Sequence, residues 1–244
     1  MRTLLGRARE RDQQGAFVVE GVRLVEEALA AGWTFRFGLH TPDLTARAQG
    51  LIQNLAAAGV GLGQVSGKVM QSISETEAPQ GVLAVLELAP LPIPGSLSFV
   101  VILDALRDPG NLGSLLRTAS AAGVQAVLLS PETTDAFAPK VVRSGMGAHF
   151  RLPIHSLGWE AIRARMKGLQ VYLAEMEGAV SCWEADFRSP LALVIGGEAE
   201  GASPEARKLA QQQVYIPMPG RTESLNAAVA GAILMFEVVR RRKA

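Results

Sequence analysis

The sequence predicts an α/β protein in two parts, the second built on a mainly parallel sheet. Three observations carry this. Five near-continuous aliphatic runs, Phe99–Leu103, Ala126–Leu129, Val171–Ala174, Leu191–Ile195 and Val214–Ile216, mark strands buried on both faces. Shorter apolar strands alternate with helical patterns through residues 1–90. Between the two parts lies Ala89-Pro90-Leu91-Pro92-Ile93-Pro94-Gly95-Ser96, whose alternate prolines fix φ and forbid both helix and central strand. The expected division is a first domain over residues 1–90, a proline-rich linker over 91–96 and a second domain over 97–244.

In the first part Phe17-Val18-Val19 reads as a short strand. Val22, Leu24, Val25, Ala28 and Leu29 recur at helical spacing through Ala31, and Gly32 is the stop. Trp33–Leu39 reads as a strand and Leu44–Ala58 as a helix ended by Gly59. Val60–Val65 reads as a strand, Lys68–Ile73 as a short helix and Gly81–Leu88 as the last strand. Helices between strands imply a small α/β layer. Arg2, Arg7, Arg9 and Arg11, offset by Glu10, put a charge of +3 into the first eleven residues. That pattern is either a solvated helix face or a phosphate-contacting patch.

Composition excludes several classes. At 244 residues, 48% hydrophobic and 19% charged, the chain suits a folded protein with a sizeable core, not a disordered one. Aromatics at 5% leave that core to aliphatic packing. Lys+Arg 24 balance Asp+Glu 23, which excludes a histone-like polycation and leaves room for a local basic patch. The single cysteine, Cys182, excludes an internal disulfide framework and a cysteine-based zinc site, and fits a reducing compartment. His40, His149 and His155 lack the spacing of a helical zinc pair, so no metal is expected. No apolar run reaches the roughly 18–20 residues of a membrane span, and the basic start lacks the apolar segment of a secretory signal. A cytoplasmic protein without a membrane partner is expected.

In open α/β sheets ligands gather at the carboxyl ends of the strands. Chemistry is therefore expected in the loops after Leu103, Ile195 and Ile216. The first runs from Asp104 to Gly113 into a predicted helix Ser114–Ala122. Its Asp108-Pro109-Gly110-Asn111 is turn chemistry, with Asn111 as the N-cap. A capped helix accounts for Asn111 and Gly110 but not for Arg117, which sits in the second turn among Leu112, Leu115, Leu116, Ala119 and Ala121. An arginine there, at the sheet's carboxyl edge, is placed to bind an anion.

The second loop, Ile195-Gly196-Gly197-Glu198-Ala199-Glu200-Gly201-Ala202-Ser203-Pro204, pairs two glycines that let a backbone approach a ligand closely. It is neither the dinucleotide fingerprint nor a Walker A loop. Ser203-Pro204 is an N-cap followed by proline at the first helical position. Glu198 is either a structural anchor or a functional carboxylate. The third loop, Ile216-Pro217-Met218 through Ser224-Leu225-Asn226, opens a helix over Ala227–Arg240. Ser224 reads as its cap, which leaves the Asn226 amide to hold something else. Only Asn226 and Glu237 are not apolar between Leu225 and Val239. Such a helix is buried either within the fold or against another subunit, and a dimer interface is the simplest partner.

Taken in order, Asn111-x-Gly113-x-x-x-Arg117, Ile195-Gly196-Gly197-Glu198-x-x-Gly201, and Ile216-Pro217-Met218 with Ser224-Leu225-Asn226 resemble the three motifs of the SpoU (TrmH-type) RNA 2′-O-ribose methyltransferases of the SPOUT superfamily. Phe17-Val18-Val19-Glu20-Gly21-x-Arg23-Leu24-Val25-Glu26-Glu27-Ala28 and Glu77-Ala78-Pro79-Gln80-Gly81 resemble the L30e-like substrate-binding domain found in one branch of that family. The resemblance covers nearly the whole chain. It implies an α/β L30e-like domain followed by a trefoil-knotted α/β methyltransferase domain.

It also implies an enzyme that moves the methyl group of S-adenosylmethionine to a ribose 2′-hydroxyl in structured RNA, leaving S-adenosylhomocysteine. By motif position Gly197, Ile216 and Leu225, with Gly196 and Met218 beside them, hold the cofactor, largely through backbone groups. Asn111, Glu198, Ser224 and Asn226 position Arg117, the ribose and the cofactor. Family mechanisms assign the hydroxyl proton to the Arg117 position. Phosphate binding and stabilisation of a developing alkoxide are the alternative, since a guanidinium is not normally a free base. Members acting on tRNA typically lack the L30e-like domain, so ribosomal RNA, most of all 23S, is favoured over tRNA. Arg7, Arg9, Arg11 and Arg107, with Arg2 and Arg143, are expected to line an RNA groove in a homodimer built through the C-terminal domain. The alternatives are a tRNA 2′-O-methyltransferase and a non-catalytic RNA-binding protein that retains the fold. A dehydrogenase-like nucleotide-binding enzyme is disfavoured by the missing dinucleotide fingerprint.

Overall fold

The computed structural model describes residues 1–197, 201–220 and 223–243. Two short helices, α1 (Arg2–Gly6) and α2 (Ala8–Gln14), come first; both are too short, and α2 too charged, to carry an apolar period. They are followed by β1 (Ala16–Glu20), α3 (Val22–Ala30), β2 (Phe35–His40), α4 (Ala46–Ala57), β3 (Leu62–Gln64), α5 (Gly67–Ser72) and β4 (Val82–Glu87). These seven match the elements read from residues 17–88. The hydroxyls of Thr45 and Ser66 accept backbone N–H bonds at the starts of α4 and α5. The sheet runs β1-β4-β2-β3, antiparallel except for the β2–β3 pair.

After the proline-rich stretch come β5 (Phe99–Asp104), α6 (Pro109–Ala121) and β6 (Ala126–Leu129). Next are α7 (Pro139–Gly145) and a 3₁₀ turn at Ala148–Phe150. The chain continues with β7 (Ile154–Ser156), α8 (Trp159–Arg165), β8 (Gln170–Ala174), β9 (Val180–Ser181) and β10 (Leu191–Gly196). It ends with α9 (Pro204–Leu209), β11 (Gln212–Tyr215) and α10 (Ala227–Lys243). The second sheet runs β7-β6-β5-β10-β8-β11-β9, and every neighbouring pair among the described residues is parallel. The five aliphatic runs are β5, β6, β8, β10 and β11; β7 and β9 are too short to show as runs.

Residues on alternate positions of these strands face opposite ways. Val100, Ile102, Leu173 and Val194 pack with Ile162 of α8 and Ala206 of α9. On the other face lie α6 and α10, drawn close at Gly231, where a Cβ would stand 2.3 Å from the Leu115 side chain and 3.6 Å from Ile195.

The chain divides into two compact units, Met1–Ala89 with Asp135–Arg151, and Pro90–Thr134 with Leu152–Ala244. The segment 135–151, which the sequence reading placed in the second domain, thus belongs with the first unit. Its packing there is specific. Phe17 meets Phe137 and Trp33 edge to face at 5.0 and 5.6 Å, and Trp33 meets Phe150 at 5.5 Å. Four aromatic rings meet in this cluster, so this core is not purely aliphatic.

Arg11 is the clearest correction to the basic-patch reading. It is 3% exposed, its Nη2 lies 2.6 Å from Asp135 Oδ2, and its Nη1 donates to the Leu4 carbonyl at 2.6 Å. A planar guanidinium can join two chain segments in this way. Arg11 is a structural anchor and is withdrawn as an RNA contact, whereas Arg2, Arg7 and Arg9 are exposed.

His149 in the same core is buried. Its Nε2 donates to the Ala136 carbonyl at 2.7 Å, while Nδ1 is buried without a hydrogen-bond partner. Burial pushes its pKa down from 6.5 to about 4. The folded state therefore binds fewer protons than the unfolded chain between those values. Stability from this group is complete above about pH 6.5 and is lost as pH falls toward about 4, by roughly 3 kcal/mol in all. We expect His149→Gln to flatten the acid limb of a urea-midpoint profile over that window. An unchanged acid limb would clear His149 of this role.

Candidate active site

The carboxyl edge of the parallel sheet is organised by one buried acid. Asp104, 1% exposed at the end of β5, accepts from Ser130 Oγ at 2.8 Å and from the Ser203 amide at 2.7 Å. Ser130 Oγ accepts in turn from the Ala105 amide at 3.0 Å. Three strand-end loops, after β5, β6 and β10, are thereby tied together. A buried carboxyl is tolerated in such a place only with its hydrogen bonds supplied.

The helix that follows β5 begins earlier than the sequence reading placed it. Asp108 is the cap: its Oδ1 accepts from the Asn111 amide at 2.7 Å, with Pro109 at the first helical position. Asn111 is therefore not the N-cap, and Arg117 falls in the third turn of α6, not the second. The Asn111 side chain is used elsewhere. Its Oδ1 accepts from Asn226 Nδ2 at 3.0 Å.

Asn226 corrects a second expectation. Its Oδ1 accepts from the amides of Ala228 and Val229, at 2.9 and 3.3 Å, so Asn226 caps α10 in place of Ser224. One side chain thus caps α10 with its oxygen and joins the start of α6 with its nitrogen. Arg117 is exposed on α6 and makes no ion pair or side-chain hydrogen bond among the described residues.

A cavity of about 510 Å³ opens at this edge. Gly196, Gly197, Ile216, Met218 and Leu225, the five residues put forward as cofactor ligands, all line it, as do Ser224 and Asn226. Asn111 and Arg117 do not. The glycines are fixed by backbone crowding. A Cβ on Gly196 would stand 2.7 Å from the Ala202 nitrogen, and one on Gly197 would stand 2.6 Å from the Ala105 carbonyl oxygen. Ala105 holds a left-handed conformation at φ 52°, which is uncommon for a residue with a side chain. Glu198 lies outside the described residues.

The cavity also takes Ala174, Glu175 and Met176, which the sequence reading missed. The signal was available: Ala174 ends the run Val171–Ala174 and Glu175 and Met176 follow it, and the carboxyl-end rule applied to the other strands applies equally to this one. Among the remaining residues put forward, Arg107 is exposed and ion-paired to exposed Glu132 at 3.0 Å. Arg143 is half-buried on α7, with Nη1 buried and lacking a hydrogen bond. Cys182 is fully buried, and burial pushes its thiol pKa up, which suits an inert packing residue.

The apolar helix α10 is only half covered. Leu234, Met235 and Val238 are buried, while Val229, Ile233 and Phe236, at helical spacing on one face, are 48%, 38% and 49% exposed. Glu237 beside them is held below the usual carboxylate range by hydrogen bonds from Arg240 and Arg241.

Comparison with known proteins gives a consistent pattern. Residues 98–236 match the SpoU rRNA Methylase family, and residues 1–84 match the MRM3-like substrate binding domain. The 23S rRNA (guanosine(2553)-2'-O)-methyltransferase RlmP of Bacillus subtilis (strain 168) is 32% identical over 94% of this chain and 91% of its own length. The 23S rRNA (uridine(2479)-2'-O)-methyltransferase of Streptomyces viridochromogenes is 32% identical over 98% of this chain and 88% of its own. The crystal structure of the SpoU methyltransferase AviRb from Streptomyces viridochromogenes, in complex with the cofactor AdoMet, superposes with a TM-score of 0.86. It has 31% sequence identity and covers 98% of this chain and 96% of that one.

Proposed function

Since the chain belongs to the SpoU rRNA Methylase family, we propose that it transfers the methyl group of S-adenosylmethionine to a ribose 2′-hydroxyl of ribosomal RNA, and of 23S RNA in particular. One observation carries the reading most directly: Ile195, Gly196, Gly197 and Gly201 of the second motif and Ile216, Met218, Ser224, Leu225 and Asn226 of the third line a single cavity at the carboxyl edge of a parallel sheet, joined to the first motif through Asn226 and Asn111. Relatives of similar length named for 23S 2'-O-methylation support the choice of RNA. So does the match of the first 84 residues to a substrate-binding domain.

The cavity fits the cofactor on its own chemistry. Gly196 and Gly197 leave a cradle that any Cβ would crowd, and Met176, Ile216, Met218, Leu225 and Leu234 supply apolar wall. Backbone amides and carbonyls beside such walls can read an adenine edge. When bound, the cofactor supplies an electrophilic methyl group on a sulfonium. Arg117, exposed and without a partner among the described residues, binds RNA phosphate and stabilises the negative charge that grows on the 2′-oxygen. The Asn111–Asn226 bridge holds the starts of α6 and α10 in register, so that Arg117 and the cavity keep one relative position.

The reading extends to the RNA surface, the oligomer and the knot. Arg2, Arg7 and Arg9 contribute a basic, phosphate-binding patch. Arg107, in the second unit, is a phosphate contact of its own once it leaves Glu132, at little cost for so exposed a pair. The Val229, Ile233 and Phe236 stripe is the face through which two copies pair. The trefoil knot implied by the motifs belongs to the same proposal.

The test is methyl transfer from labelled S-adenosylmethionine to separate tRNA, small-subunit and large-subunit RNA transcripts, followed by nucleoside mass spectrometry. A 2′-O-methylnucleoside in the large-subunit pool is expected. Transfer to tRNA alone would overturn the choice of RNA, and no transfer to naked transcripts or ribosomal particles would overturn the enzymatic reading. Asn226→Asp probes the bridge: it keeps a capping oxygen and removes the donor to Asn111. Stability is expected to stay within about 1 kcal/mol, while turnover falls by roughly tenfold or more. Unchanged turnover would reduce Asn226 to a cap.

A further inference from the structure

The cavity has one charged residue among its described lining, Glu175, and no motif of the sequence accounts for it. Glu175 stands one position beyond β8. Its amide donates to the Val214 carbonyl at 3.0 Å, which fixes its backbone against β11. Three residues later, a Cβ on Gly178 would stand 2.6 Å from the Val214 carbonyl carbon, so the loop is pressed flat on the same strand. The side chain is held as well: Arg207 of α9 places Nη1 2.7 Å from Oε1. That contact is an ion pair whose angles fall short of a directed hydrogen bond, so Arg207 occupies one side of the buried Oε1 and leaves the carboxylate room to accept from a further donor. A carboxylate has about four acceptor sites, and a ligand donor that fills one left over by the ion pair gains a charge-assisted hydrogen bond.

Of the donors on S-adenosylmethionine, the ribose hydroxyls suit this group better than the ammonium. Arg207 already compensates the carboxylate charge, so a second cation gains little from it. Neutral O–H groups gain a charge-assisted acceptor without requiring a free negative charge. We propose that Glu175 recognises the ribose diol of the cofactor, with Arg207 as the residue that orients its carboxylate. The inference rests on the cofactor reading above and names a specificity contact within it.

The experiment is calorimetric titration of wild type and Glu175→Gln with three ligands. These are S-adenosylhomocysteine, 5′-methylthioadenosine, which lacks the amino-acid end, and the 2′,3′-dideoxy form of methylthioadenosine. The expected result is a loss of about 10-fold or more for the first two in the variant, the weight of a hydrogen bond to a charged group. The dideoxy ligand should bind wild type and variant alike, and bind wild type more weakly than methylthioadenosine does. Equal binding of S-adenosylhomocysteine to both proteins would overturn the proposal. So would a loss confined to S-adenosylhomocysteine, which would put the carboxylate at the ammonium end, or equal losses for all three ligands, which would mark a merely structural pair. If the variant does not fold, the wild-type comparison still decides: equal affinity for the two methylthioadenosines overturns it. Failure of wild type to bind S-adenosylhomocysteine at all is the one outcome that removes the cofactor reading together with this contact.

Discussion

Arg117→Lys is expected to lower turnover by roughly 10²–10³-fold, the scale of losing one group that stabilises developing anionic charge. Affinity for S-adenosylhomocysteine should stay within about twofold, because Arg117 does not line the cavity. Lysine keeps the charge and the helix but loses the planar fork that can hold two oxygens at once. Arg117 is also exposed and without a partner among the described residues, so its replacement breaks no structural bond there. The variant separates binding from chemistry cleanly. Single-turnover transfer and ligand titration are both needed, and wild-type turnover in Arg117→Lys would remove this residue from the mechanism.

Gly197→Ala should do the reverse. The added Cβ would stand 2.6 Å from the Ala105 carbonyl oxygen, and Ala105 itself sits at φ 52° with its amide tied to Ser130. Backbone meets backbone at this point, so neither side can move away by a change of rotamer. Overpacking of this kind costs about 1–3 kcal/mol. Since the displaced segment is the cavity wall, the loss should appear chiefly as weaker cofactor binding, of the order of 10- to 100-fold. Gly196→Ala should act in the same direction through the Ala202 nitrogen, 2.7 Å away. Titration with S-adenosylhomocysteine, alongside a melting curve, is the measurement. Wild-type affinity in a folded Gly197→Ala protein would show that the two loops tolerate separation.

The legible parts of this protein were those with strong local signals. Strands buried on both faces appear as unbroken aliphatic runs, and β5, β6, β8, β10 and β11 were found that way. The two- and three-residue strands β9 and β7 did not stand out as runs, whereas the equally short β3 was found inside the apolar stretch Val60–Val65. The caps show a different limit. Asp108 and Asn111 are both capping residue types three positions apart, and Ser224 and Asn226 are two apart. The backbone path decides between them, although Pro109 at the first helical position was a usable cue for Asp108. Arg11 was misread because its meaning depends on Asp135, far away in sequence. Nothing in a run of arginines distinguishes the one that will be buried. The cavity residues were legible where motifs marked them, and Glu175, which no motif marks, was missed although its place at the carboxyl end of β8 was a usable cue.

The division of the chain into units has a consequence for how this architecture can be taken apart or passed on. Residues 135–151 are encoded in the midst of the second unit yet complete the core of the first. A gene fragment ending at the proline-rich stretch would encode Arg11 without its counter-ion and Phe17 without Phe137. The leading module is therefore not a detachable cassette. Recombination that swapped it at its apparent border would bring together two halves of a core from different ancestors, and selection would have to repair Phe17, Trp33 and Arg11 against a foreign Asp135–Arg151 before the hybrid could fold.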